Sequence, residues 1–148
     1  MNKTKYLNIT SLMLQIFVIA LLFLDGVFVF DDGWSEASFY YVYSNYGDRI
    51  NNTPATLFMA TIIAMIILSI LQLTSNKVFI VSSFVSIAQI ITFFTYSDEV
   101  LETLMGGRYD SGSLYNLLVA MLVTTCVLSL VAFIYNKKYT VNQTTKDN

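Results

Sequence analysis

Four stretches of this chain each run for about twenty residues with almost no charge, the length a helix needs to cross a bilayer. They cover approximately residues 8–30, 54–74, 78–97 and 113–135. Only the first holds a charged residue, Asp25. The segment LFMATIIAMIILSILQL is apolar on every side, so as a helix it has no polar face to turn toward water. The alternation over about ten residues that marks membrane strands is missing. With 55% hydrophobic and 12% charged residues, about half the usual charged share, no ordinary soluble domain fits. The sequence therefore predicts an all-α membrane protein with four transmembrane helices in an up-down bundle. The first run is read as a retained helix rather than a signal peptide, because Asp25, Gly26, Val27 and Phe28 offer no small-x-small cleavage site.

Charge sorts by side. The six lysines, Lys3, Lys5, Lys77, Lys137, Lys138 and Lys146, lie in the two ends of the chain and in the short second connection. Nine of the ten acids lie in or beside the first and third connections. Cytoplasmic flanks retain lysine and arginine, which places both termini inside. The loops 31–53 and 98–112 then face outward. Residues 1–136 form one transmembrane domain, and 137–148 form a polar, unpacked cytoplasmic tail. The expected location is the cell (plasma) membrane. The lysine-rich, arginine-poor composition, with its many Asn, Ile and Thr residues, fits a bacterial source with an AT-rich genome.

The first outer loop reads DDGWSEASFYYVYSNYGDRINNT, with Ser38 to Tyr43 predicted as a short strand or an amphipathic helix at the interface. Trp34, Phe39, Tyr40, Tyr41, Tyr43 and Tyr46 form a candidate recognition patch, since Tyr and Trp settle at headgroup level and also dominate binding hot spots. Acids among tyrosines suit a cationic partner. In the second outer loop, Asp98 to Met105 reads as a short amphipathic helix on the membrane surface, ended by Gly106 and Gly107. Arg49 and Arg108 stand beside Asp48 and Asp110 as candidate charge pairs.

Within the spans, helices associate through small and polar residues. Ala60 and Ala64 offer such a face on the second helix. Ser82, Ser86 and Gln89 do so on the third, and Asn116, Ala120 and Thr124 on the fourth. Gln15 and Asp25 share one face of the first. Asp25, Gln15, Gln89 and Asn116 form the candidate intramembrane polar site. Asp25 would lie about 27 Å along the first helix from Leu7, in the outer third of the bilayer. It is read either as an interfacial carboxylate or as one that pairs with an arginine or takes up a proton or cation.

Chemistry-bearing residues are few. Histidine is absent and Cys126 stands alone in the fourth span, so no disulfide, cysteine-based zinc site or histidine base is available. The scattered methionines make no soft-metal cluster. No catalytic residue, metal, cofactor or nucleic-acid partner is expected. The topology resembles that of claudin- and tetraspanin-like four-span proteins, but their outer-loop cysteines are missing and the chain is not assigned to them. The function expected is that of a non-catalytic accessory or interaction protein, an immunity factor against a membrane-active toxin included. Its partners would be the lipid bilayer and a membrane protein or further copies of itself. The alternative is a subunit of an oligomeric channel or carrier built on Asp25 and the polar helix faces.

Overall fold

The computed structural model describes residues 3–29, 36–73, 78–104 and 112–144, with side chains from residue 5 through residue 137. The elements in order are α1 (Lys3–Leu22), β1 (Phe28–Val29), β2 (Glu36–Ala37), α2 (Phe39–Asn45), α3 (Thr53–Leu71), α4 (Phe79–Leu104) and α5 (Tyr115–Thr144). Four of the helices are long and apolar enough to cross a membrane, over Lys5–Leu22, Thr53–Leu71, Phe79–Leu104 and Tyr115–Lys137. Large apolar side chains cover their outward faces, among them Phe17 on α1, Ile63 on α3, Phe84 on α4 and Ile134 on α5. In water that continuous apolar surface is far beyond what a soluble monomer exposes.

Both α1 and α4 lie against α3 and α5, so α1 and α4 face each other across the centre of the bundle. α1 is packed more lightly on α3 than on α5. The helix starts are set locally. Pro54 occupies the first turn of α3, where its missing N–H costs nothing, and Asn51 Oδ1 accepts the Thr53 N–H at 3.0 Å. Ser38 caps α2, its Oγ accepting the Tyr41 N–H at 3.1 Å.

The first apolar run does not stay helical through residue 30. α1 closes at Leu22, and Phe23 and Leu24 donate to the carbonyls of Ala20 and Leu21 in a tightened last turn. Gly26 follows with φ +109°, a conformation closed to most side chains. The chain then enters the two-residue antiparallel pairing of β1 with β2. This end is stitched to the start of α5, where Leu114 N–H donates to Gly26 O at 2.7 Å and Gly112 N–H to Val27 O at 3.2 Å.

α4 and α5 run longer than the apolar runs suggest, whereas α3 closes at Leu71, short of the expected 74. α4 continues through Leu104, absorbing the segment expected to lie separately on the membrane surface. Its Tyr96, Ser97, Val100 and Leu101 remain buried while Asp98 and Glu102 point outward. α5 continues to Thr144, through most of the expected tail. Ser38 to Tyr43 resolves as the cap and body of a helix, α2. A Cβ on Gly112 would strike the Gly26 carbonyl. Gly112→Ala is therefore expected to cost about 2–3 kcal/mol. The measurement is the thermal midpoint in detergent, and an unchanged midpoint would show that the two loops do not touch.

Candidate functional site

Two glutamines meet at the centre of the bundle. Gln15 lies about 15 Å up α1 from Lys5, and Gln89 about 15 Å up α4 from Phe79, at 1.5 Å per residue. Both are completely buried. Gln15 Nε2 donates to Gln89 Oε1 at 3.2 Å, and Gln89 Nε2 returns the bond to Gln15 Oε1 at 2.9 Å. The pair joins the two helices that otherwise face each other across the centre, and each amide supplies the donor and acceptor the other needs. An amide left alone at this depth would cost about 1–3 kcal/mol.

The glutamine pair divides the core into two chemically distinct halves. The polar half is where α1 and α4 begin and where α3 and α5 near their ends. It holds every buried polar residue except Ser38 and Ser97. Asn8 Nδ2 donates to Gln72 O at 3.3 Å, joining α1 to α3. Ser83 Oγ lies 3.1 Å from Phe79 O and 3.3 Å from Ser129 O, linking α4 to α5. Ser82 Oγ reaches Met65 Sδ at 3.9 Å. Ser11 Oγ on α1, Ser69 Oγ on α3 and Nε2 of Gln72, the residue that caps α3, have no hydrogen-bond partner. Burial at this seam is therefore less well compensated than elsewhere in the polar half.

The opposite half is aromatic. Phe39, in the first turn of α2, is buried beneath the mouth of the bundle. Its ring centroid lies 4.9 Å from that of Tyr96, 5.4 Å from Phe58, 6.4 Å from Phe28 and 6.5 Å from Phe93. Phe93 adds Phe58 at 5.3 Å and Tyr115 at 5.6 Å. Pairs of this kind contribute about 0.5–1.5 kcal/mol each beyond their buried area. α2 is thereby held down as a plug.

The residues singled out in the sequence fall in several places. Gln15 and Gln89 come together. Asp25 is exposed beyond the end of α1, so it is not carried on a helical span. Asn116 is exposed in the first turn of α5, as are Ala120 and Thr124 beyond it. That face turns outward because the bulkier Leu118 and Leu122 fill the bundle, followed by Thr125 and Ser129. Thr124 Oγ1 satisfies itself on Ala120 O at 2.7 Å. On α3, Ala60 is likewise exposed, and Phe58, Ile62 and Met65 point inward.

Of the aromatic patch, Phe39 is interior, Tyr43 and Tyr46 are half-buried, and Tyr40 and Tyr41 are exposed. Tyr43 Oη lies 3.4 Å from Thr56 Oγ1. Asp48 and Arg49 are exposed and form no ion pair among the described residues. Trp34, Arg108 and Asp110 lie outside the described residues. Glu99, on the extension of α4, accepts the Asn51 N–H at 3.3 Å and so ties α4 to the start of α3.

Two features escaped the sequence reading. Glu36 belongs with the end of α1, because its Oε2 sits 3.0 Å from where a Gly26 Cβ would be. An apolar groove of about 200 Å³ opens between α1 and α3 beneath α2, lined by Ile19, Leu22, Phe23, Phe39, Tyr40, Met59, Ile62 and Ile63. Asp25-Gly26 is a turn dipeptide, but it does not say which residue meets the turn. Nothing in an all-apolar surface marks a groove. Among the described residues, no three His, Cys, Asp or Glu side chains converge in a way that would hold a metal ion. No family model, curated protein or solved structure matches this chain.

The amide pair makes a double-mutant prediction. Gln15→Leu alone leaves the Gln89 amide unpaired and is expected to destabilise by about 1–3 kcal/mol. Adding Gln89→Leu is expected to recover most of that loss, since replacing both partners with apolar groups of similar size is close to neutral. Thermal midpoints of the two single variants and the double variant give the coupling. Strict additivity would mean that the amides do not meet.

Proposed function

We propose that this chain is a multi-pass protein of a bacterial cell membrane. Its four long helices span the bilayer in an up-down bundle with both termini cytoplasmic, and it acts as a non-catalytic binding partner. In that orientation the aromatic half of the core lies toward the outside, with α2 as its cover. The protein is an accessory subunit of a membrane complex, or a protection factor that intercepts a membrane-active toxin.

The observation that carries this reading is the contrast between a closed centre and a chemically loaded outer end. At the centre, Gln15 and Gln89 occupy each other, and Phe39 closes the mouth. At the outer end, Asp25, Glu36, Asp48, Asp98 and Glu102 are exposed, as are Tyr40 and Tyr41. Tyrosine in such a setting supplies contact area at low entropic cost, and the acids select a basic partner. The rigid core beneath fixes that surface in place, which favours binding. The channel or carrier reading draws on Asp25 and the polar helix faces, but Asp25 stands on the turn after α1, and Gln15 and Gln89 on those faces are bonded to each other.

Affinity purification of the tagged chain in several mild detergents is expected to recover one partner in stoichiometric amount. Substituting Tyr40→Ala together with Tyr41→Ala is expected to weaken recovery about tenfold or more, the usual cost of losing a hot-spot aromatic. Recovery of the chain alone in every detergent would contradict the reading.

A further inference from the structure

The groove between α1 and α3 has a definite chemistry on each of its sides. Its floor is Leu22 and Ile62, both buried, and its open lips are Phe23 and Ile63, both 59% exposed. Tyr40 forms the roof, its ring 5.0 Å from that of Phe23. The lining is apolar, and about 200 Å³ accommodates one large apolar side chain. The groove also lies on the seam where α1 is packed more lightly.

The edge above the groove is anionic. Asp25 stands two residues beyond Phe23 and is exposed, and Glu36 reaches the adjoining Gly26 turn. Among the described residues of that end, Asp25, Glu36, Asp48, Asp98, Glu99 and Glu102 face a single basic side chain, Arg49. This charge discriminates among occupants. An anionic phospholipid brings net negative charge, which the carboxylate edge repels, and a zwitterionic one has no net positive charge to offer it. A second copy brings the same acids to the same place. A cationic chain with an apolar anchor satisfies both the edge and the floor.

We infer, building on the binding role proposed above, that this groove seats a cationic, amphipathic, membrane-inserting peptide. One apolar side chain of the peptide fills the space between α1 and α3. Its basic side chains lie over Asp25 and Glu36. Because the floor is made of helix residues, the peptide reaches it from the outer leaflet rather than from free solution.

The test uses the full chain in nanodiscs of zwitterionic phosphatidylcholine, whose headgroups carry no net charge, with empty discs as the control for carboxylates on the scaffold. The probe is a fluorescent amphipathic peptide of leucine and lysine, compared with its leucine and glutamate counterpart. Protein-loaded discs are expected to bind the lysine peptide about tenfold more tightly than empty discs, a difference that shrinks as salt rises. Asp25→Asn combined with Glu36→Gln, and separately Ile63→Trp at the exposed lip, are each expected to remove most of that gain while leaving the thermal midpoint unchanged.

Equal binding to empty discs, equal binding of the glutamate peptide, or indifference to both sets of variants overturns the inference. So does an Ile63→Trp effect confined to co-purified lipid or to the balance of monomer and dimer, which would assign the groove to a lipid tail or a second copy. If a natural partner is recovered and Ile63→Trp does not release it, the groove assignment fails and the broader binding role stands. If probe binding follows the variants but no partner is ever recovered, the broader role fails instead.

Discussion

Inside hydrocarbon a peptide N–H has no water to donate to, and neither does a side-chain amide. The backbone meets that constraint by coiling on itself, which is why the long apolar runs become helices. A side chain cannot do so alone unless it reaches a carbonyl one turn back, as Thr92, Thr95, Thr124 and Thr125 do. Glutamine is too valuable a donor and acceptor to be left that way, and Gln15 and Gln89 solve the problem together. Their reciprocal bonds fix the facing of α1 and α4, the two helices that share little other contact. The depth and rotation of those helices then set where α3 and α5 fit between them.

The division of the core follows from the same constraint. In the polar half, Asn8, Ser83, Ser86 and Thr125 are buried with carbonyl partners on their own or a neighbouring element, while Ser11, Ser69 and the Gln72 amide nitrogen have none. The aromatic half is held by shape and dispersion, with Phe39 brought in from outside the four spans. A short helix of seven residues has little stability of its own, and α2 persists because Phe39 and Val42 are buried and Ser38 caps it. The surface above this plug is thereby fixed in position. Its acids and exposed tyrosines gain a stable geometry that a loose loop would not give them, and the binding role proposed here draws on that geometry.

Much of the helical framework could be read directly from residues. The charge-free runs located all four long helices, and the spacing of Ser82, Ser86 and Gln89 identified the inward face of α4. Gln15 was recognisable as a polar residue with no business facing lipid. Helix ends were less legible. Val27, Phe28 and Val29 continue the hydropathy of the first run, and only the positive φ at Gly26 shows that the chain has already turned. Asp98, Glu99 and Glu102 suggested a separate surface segment, whereas a helix can carry them on its outer face while Val100 and Leu101 remain inside. The stripe Asn116, Ala120 and Thr124 was misleading because small residues pack inward only where the neighbour is close. On α5 the leucines reach the bundle and the small residues do not. The meeting of Glu36 with Gly26, and the groove beneath Tyr40, depend on tertiary placement and have no signature in the order of residues.

The central claim is that the polar and aromatic halves of this core lie toward opposite sides of a membrane, with the termini on the cytoplasmic side. Site-directed labelling tests it most directly. In a Cys126→Ala background, cysteines replacing Asp25 and Lys137 one at a time would be treated in intact cells with a membrane-impermeant maleimide. The account predicts that Asp25→Cys is labelled from outside and that Lys137→Cys is labelled only after the membrane is opened. Labelling of both positions from the same side would contradict it.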